Sequence, residues 1–164
     1  MHGSIYFISS GDEKMPKTSA GILMYRDKNN IIEVLLVHPG GPFFARKDLG
    51  VWSIPKGEYG EGEDPLAVAK REFREETGFE ASGECVPLGS CIQKGGKIVH
   101  AWAVQGDLDA DAIKSNTFKM EWPPKSGRIC EFPEVDRAEW FPLDLARGKI
   151  NPAQIGFLEK LLFT

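Results

Sequence analysis

Glu72, Glu75 and Glu76 fall at intervals of three and one within residues 57–79, GEYGEGEDPLAVAKREFREETGF. At about 100° per residue on an α-helix, all three point into a sector of about 100°. Acidic side chains gathered that densely repel one another unless a cation lies among them. Carboxylate oxygens are hard donors, so the ion that suits them is Mg²⁺ or Mn²⁺ rather than Zn²⁺. The plainer account is a solvated helix face paired with Lys70, Arg71 and Arg74, which is what most acidic runs are. The chemistry-bearing account is a metal-dependent phosphate site.

A helix must hold these groups, and its ends are legible. Asp64 suits the N-cap, Pro65 the first helical position and Gly78 the C-terminal cap. Leu66, Ala69, Phe73 and Thr77 form the expected buried stripe, with the carboxylates to one side of it. The preceding segment, residues 57–62, carries Gly57, Gly60 and Gly62 and reads as a loop whose backbone approaches a ligand.

The stretch resembles the signature of the Nudix hydrolase family, G-x5-E-x7-R-E-U-x-E-E-x-G-U with U apolar. Gly57, Glu63, Arg71, Glu72, Phe73, Glu75, Glu76, Gly78 and Phe79 match its specified positions. At average amino-acid usage, a chance match in this chain is on the order of one in ten million, which sets the solvated-face account aside. The resemblance implies an α/β fold, an α/β/α sandwich around a mixed central sheet. It also implies Mg²⁺ (or Mn²⁺) bound by Glu72, Glu75, Glu76 and the Gly57 carbonyl. Arg71 pairing with Glu63 would support the loop.

The implied reaction is hydrolysis of a diphosphate linkage in a nucleoside diphosphate joined to another moiety, a (di)nucleoside polyphosphate or nucleoside triphosphate above all. Glu76 is the first candidate for general base and Glu75 the second, with Glu121 and Glu131 as more distant candidates. Two other uses of this fold compete. A non-catalytic nucleotide-sensing module commonly loses box glutamates, and an isoprenoid diphosphate isomerase needs a catalytic cysteine and a departed box. Residues 57–79 keep every box carboxylate. Family members often pair as homodimers, so the resemblance extends to that.

Substrate contacts are sought around the box. Residues 52–57, WSIPKG, resemble the W-x-x-P-K-G run of members acting on dinucleoside polyphosphates and diphosphoinositol polyphosphates. Lys56 would reach a phosphate, whereas Trp52 reads as core. In the loop over 38–50, Phe43 and Phe44 would hold an adenine and Arg46 or Lys47 a phosphate, or these residues only staple the loop onto the sheet. In the unpatterned segment 106–137, Trp122 would stack on a base while Lys125 or Arg128 meets phosphate. The tyrosine of diadenosine polyphosphate hydrolases and the proline of ADP-ribose hydrolases, each some 17 residues past the box, have no counterpart at 95–97, which reads Gly-Gly-Lys. The tail of the NADH type and the upstream motif of the coenzyme A type are missing too.

Composition agrees with one enzyme domain. The 164 residues suffice for a substantial core, and 41% apolar with 27% charged residues is ordinary for a soluble protein. A net charge of −4 offers no basic footprint for nucleic acid, so the expected partner is a small anionic nucleotide. Cys85, Cys91 and Cys130 lack CxxC spacing and read as free thiols of a reducing cytoplasm. No apolar run of about 18 residues is present to span a membrane, and the opening residues do not read as a signal peptide. Residues 1–16 read as an extension that need not be ordered, and 17–164 as the single domain. Strands are expected over 18–25, 31–37, 51–54, 86–93, 98–105 and 138–141, with helical segments over 143–147 and 152–162.

Overall fold

The computed structural model describes residues 16–164, so the expected N-terminal extension lies outside the described residues but for Pro16. Strand β1 (Thr18–Lys28) turns at Asn29 and Asn30 into β2 (Ile31–Pro39). Both asparagines adopt positive φ, 55° and 67°, the geometry a two-residue hairpin turn requires. Strand β3 (Lys56–Tyr59) pairs antiparallel with β1, setting Gly57 opposite Ala20. Helix α1 (Pro65–Thr77) follows. Strands β4 (Cys85–Ile92) and β5 (Ile98–Gln105) form the hairpin expected around Gly95 and Gly96, both at positive φ.

The six-stranded sheet runs β4-β5-β1-β2-β8, with β3 on β1 and β8 spanning Val135–Pro142. Strand β5 lies parallel to β1 and the other neighbours are antiparallel, so the sheet is mixed, as expected. Each face carries its own apolar layer. Ala20, Ile22 and Met24 of β1 point to α1, meeting Val68, Ala69 and Phe73. Leu23 points to the opposite face, where Ala146, Phe157, Leu158 and Leu161 close the layer. Those four come from helices α2 (Leu143–Lys149) and α3 (Ile155–Leu161), separated by a 3₁₀ turn over Pro152–Gln154. Period-two alternation along β1 thus builds an α/β/α sandwich.

Four expectations need correcting. The strand over 51–54 is reduced to isolated bridges, Val37 with Ser53 and Trp52 with Ile150. The glycine-rich segment starting at Gly57 is not all loop, because its first residues form β3. The buried stripe of α1 includes Val68 and Glu76, while Leu66 is only half-buried. Segment 106–137 is not structureless either. It contains a 3₁₀ turn over Ala110–Ala112 and a separate hairpin of β6 (Thr117–Glu121) and β7 (Ile129–Pro133). Among the described residues no helix is long and apolar enough to cross a membrane.

Candidate active site

The box begins where β3 leaves the sheet. Asp64 caps α1 by accepting from the Ala67 N–H at 3.1 Å, and Gly78 ends it at φ 82° with its N–H donating to the Arg74 carbonyl. Between strand and helix, Glu63 acts as a clasp. Its Oε1 accepts from the Gly60 N–H at 2.8 Å and its Oε2 lies 3.4 Å from Arg71 Nη1. These contacts hold the Glu63 carboxyl below its usual range, the backbone bond from Gly60 most of all. Arg71 also comes within 3.7 Å of Glu72 and 3.9 Å of Glu75. One guanidinium therefore touches three carboxylates. Its partial exposure makes it worth little to stability, so its effect is positional.

Glu76 is 8% exposed and lies on the core side of α1, where its Oε1 accepts from the Lys56 N–H at 3.3 Å. Burial pushes its carboxyl up to about 8, against the attraction of Lys56 and with the repulsion of Glu72. Glu72 is raised by burial and by Glu75. It packs so closely on Gly57 that a Cβ there would collide with its carboxylate. Burial drives the Lys56 ammonium down, against the pull of Glu76. Glu134, on the link between β7 and β8, stays exposed, and partial desolvation and then Glu75 raise its carboxyl. Its backbone is pinned on both sides, the N–H donating to Asn116 and the carbonyl accepting from Gly40.

Among the described residues no three acidic, histidine or cysteine side chains already close around a point that would enclose an ion. The donor set nevertheless suits a hard divalent cation. Glu72, Glu76 and Glu134 are all displaced toward their protonated forms, by desolvation first and by neighbouring carboxylates after it, both of which a bound cation would offset. The side-chain-free Gly57 leaves the Glu72 carboxylate directly against the backbone. Gly57 borders the cleft with Glu72 and Glu76, whereas Glu75 does not line it and lies 3.9 Å from Arg71.

A cleft of about 650 Å³ opens beside these groups, bordered by Phe44, Lys56, Glu72, Glu76, Glu134 and Gln154. That volume is in the range of small-ligand sites. Lys56 and Phe44 thus stand where a substrate contact would need them. Arg46 and Trp122 do not line the cleft. Arg46 is exposed, and Trp122 packs edge-on against Phe43 with ring centroids 5.3 Å apart. Lys47 leans over the Phe44 ring at 5.5 Å. Trp52 is fully buried against Phe141 and His38, as its reading as core expects.

The two distant candidates for base are occupied elsewhere. Glu121 accepts from the Lys125 and Gly127 N–H groups in the β6–β7 turn, and Glu131 from the Thr117 hydroxyl. The carboxylate that reaches the cleft from this side is Glu134. Sequence reasoning passed over it, and also over Gln93, Asn151 and Gln154, which line the same cleft. A glutamate or amide carries no local mark that it borders a cleft.

Comparisons with known proteins agree with this architecture. Residues 15–161 match the NUDIX domain. A curated relative, the RNA pyrophosphohydrolase of Rhizobium meliloti (strain 1021), is 29% identical over 117 residues, 62% of this chain and 65% of the relative. The match thus spans less than two thirds of that relative's length. Two solved structures share the fold: an Ap4A hydrolase binary complex of C. elegans at 24% identity and TM-score 0.60, and the NUDIX domain of Shewanella oneidensis NrtR complexed with ADP ribose at 15% and 0.64. The first covers 90% of this chain and 96% of its own, the second 98% and 94%. With the family's domain matched across nearly the whole chain, and the box carried on the strand and helix just described, this protein belongs to the Nudix family.

Proposed function

We propose that the protein is a Mg²⁺- or Mn²⁺-dependent pyrophosphohydrolase. Its substrate is a nucleoside triphosphate or (di)nucleoside polyphosphate. The observation that carries the reading is the gathering of Glu72, Glu76 and Glu134 on the border of one cleft that Lys56 also lines, with the carboxyls raised by desolvation and then by neighbouring carboxylates. Glu72, Glu75, Glu76 and the Gly57 carbonyl would hold the ion. When bound, it supplies neutralisation of diphosphate charge and acidification of water.

The chain's own residues do the rest. Lys56 draws the phosphates inward and Phe44 gives the nucleoside an apolar wall. Glu63 and Arg71 hold the strand-to-helix turn in place. Glu76, buried beside the Lys56 amide, is the first assignment for the base that takes the proton from the attacking water, and in that role it leaves the ion to Glu72, Glu75 and the Gly57 carbonyl. A second assignment of the base follows from Glu134. Carboxylates that serve an ion are held ionised and make poorer bases, and Glu134 stands outside the box.

The non-catalytic sensing alternative is weaker, because every box carboxylate is present. Free cysteines at 85, 91 and 130 favour a cytoplasmic setting, and net charge favours a small nucleotide over nucleic acid. We place residues 17–164 in one domain and expect it to pair with a second copy.

The test is a screen of nucleoside triphosphates, dinucleoside polyphosphates, nucleotide sugars, ADP-ribose and a 5′-triphosphorylated oligoribonucleotide. It is run with Mg²⁺ and Mn²⁺ and scored by product identity. Release of phosphate-bearing products, abolished in Glu76→Gln, supports the reading. Tight binding without turnover across the panel replaces it with the sensing module.

A further inference from the structure

Gln154 is fully buried at the end of the 3₁₀ turn, and its orientation is not free. The Ile54 backbone N–H, which can only donate, meets its Oε1 at 3.1 Å. The amide nitrogen must therefore face the other way, donating to Ser53 Oγ at 3.0 Å and to Gln93 Oε1 at 2.8 Å. That bond fixes Gln93 in turn. Its carbonyl is committed to Gln154, and its NH₂ has no protein partner among the described residues.

Asn151 arrives at the same state by a separate route. Its Oδ1 accepts from the Ala153 N–H at 2.9 Å, so its NH₂ is the group left over. Gln93 and Asn151 both line the cleft. So does Ser19, 1% exposed, whose hydroxyl is buried with no hydrogen-bond partner. A buried hydroxyl without a partner is unusual in a folded protein and calls for one from an occupant. The lining of the cleft thus offers two amide donors, with both amide carbonyls already engaged.

We propose that Gln93 and Asn151 make this wall selective for nucleobases with a keto acceptor, guanine and uracil, over the amino-bearing adenine and cytosine. The inference rests on the reading of the cleft as a nucleotide site. Guanine presents O6 and N7, both acceptors, where adenine places an N6 donor beside N7, and cytosine presents an N4 donor. An amino group set against an amide NH₂ leaves donors facing donors. In a closed site such unpaired groups reject a ligand strongly.

The experiment measures kcat/KM with Mg²⁺ for GTP, ATP, UTP and CTP, alongside calorimetric binding of GDP and ADP. It uses the full chain, Gln93→Leu and Gln93→Glu. The glutamate keeps an acceptor for Gln154 and removes the donor hydrogens but adds a negative charge, whereas the leucine removes them without a charge, so the two variants are read together. The native protein should favour GTP over ATP, and UTP over CTP, by about tenfold or more. Both variants should shrink these ratios by about threefold or more. Equal use of the four triphosphates, or a preference that survives in both variants, overturns the proposal. A GDP preference in binding without any turnover supports the wall and sinks the hydrolase reading instead. Neither binding nor turnover of any of them overturns both.

Discussion

The Glu72 carboxylate lies against the backbone of Gly57, in space that a Cβ on residue 57 would need. Gly57 does not owe its identity to a left-handed backbone, since it is absent from the glycines at positive φ. It is glycine where the Glu72 side chain occupies the space that a Cβ would take. Gly57→Ala must push Glu72 outward, and displacement of a reacting group by about 1 Å costs about 10²-fold in rate. We expect a loss of that order in kcat/KM with the far-UV circular dichroism unchanged. Full activity in Gly57→Ala would show that Glu72 need not sit there.

Glu131 and Glu134 are three residues apart and should behave oppositely. Glu131 spends its carboxylate on the Thr117 hydroxyl, while Glu134 borders the cleft and feels Glu75. Removing a general base typically costs about 10²–10⁴-fold. Glu134→Gln should lower kcat within that range if it is the base, whereas Glu131→Gln should stay within about twofold. A reversed pattern would return the distant base to the β6–β7 hairpin.

The parts of this site that were legible in the sequence are those fixed by local chemistry. Asp64, Pro65 and Gly78 announce the two ends of α1 because capping involves neighbours within four residues. The hairpin at Gly95 and Gly96 is legible for the same reason. What escaped depends on distant partners. Strand β3 exists because residues 56–59 meet β1, about forty positions earlier in the chain. Hairpin β6–β7 stands outside the main sheet with alternate residues exposed, so it buries too little to leave an apolar pattern. The burial of Gln154 rests on the Ile54 N–H one hundred residues away. Nothing in residues 150–156 marks that amide as different from a surface glutamine.

Asp64 offers a test of the frame rather than the chemistry. Its carboxylate satisfies the Ala67 N–H at the head of α1, and α1 carries Glu72, Glu75 and Glu76. Asp64→Ala should cost about 1 kcal/mol of stability. In a domain of this size that lowers the melting temperature by about 2–4 °C. Asp64→Asn should recover most of the loss, because it can still accept the bond. An unshifted melting temperature in the alanine variant would mean that the cap is redundant with Pro65 and the packing of α1.

Glu76 makes stability depend on pH in a direction opposite to that of an ordinary ion-paired carboxylate. Burial raises its folded pKa to about 8 from a reference of 4.5, against the attraction of Lys56. The folded state therefore holds its proton more tightly than the unfolded chain. Its contribution is fully present below about pH 4.5 and is lost as pH rises through about 8. Glu72 and Glu134 are raised as well and act in the same sense. Lys56 is lowered by burial, so its stabilising slope has the opposite sign and belongs to higher pH, toward 10.5. In a chelator the melting temperature should fall between about pH 5 and pH 8, more in the native protein than in Glu76→Gln. Adding Mg²⁺ should restore more stability at pH 8 than at about pH 5, because the cation binds the ionised carboxylates and competes with protons. Identical pH profiles for the native protein and Glu76→Gln would remove Glu76 as the titrating group. Mg²⁺ stabilisation that is independent of pH would place the ion away from these carboxylates.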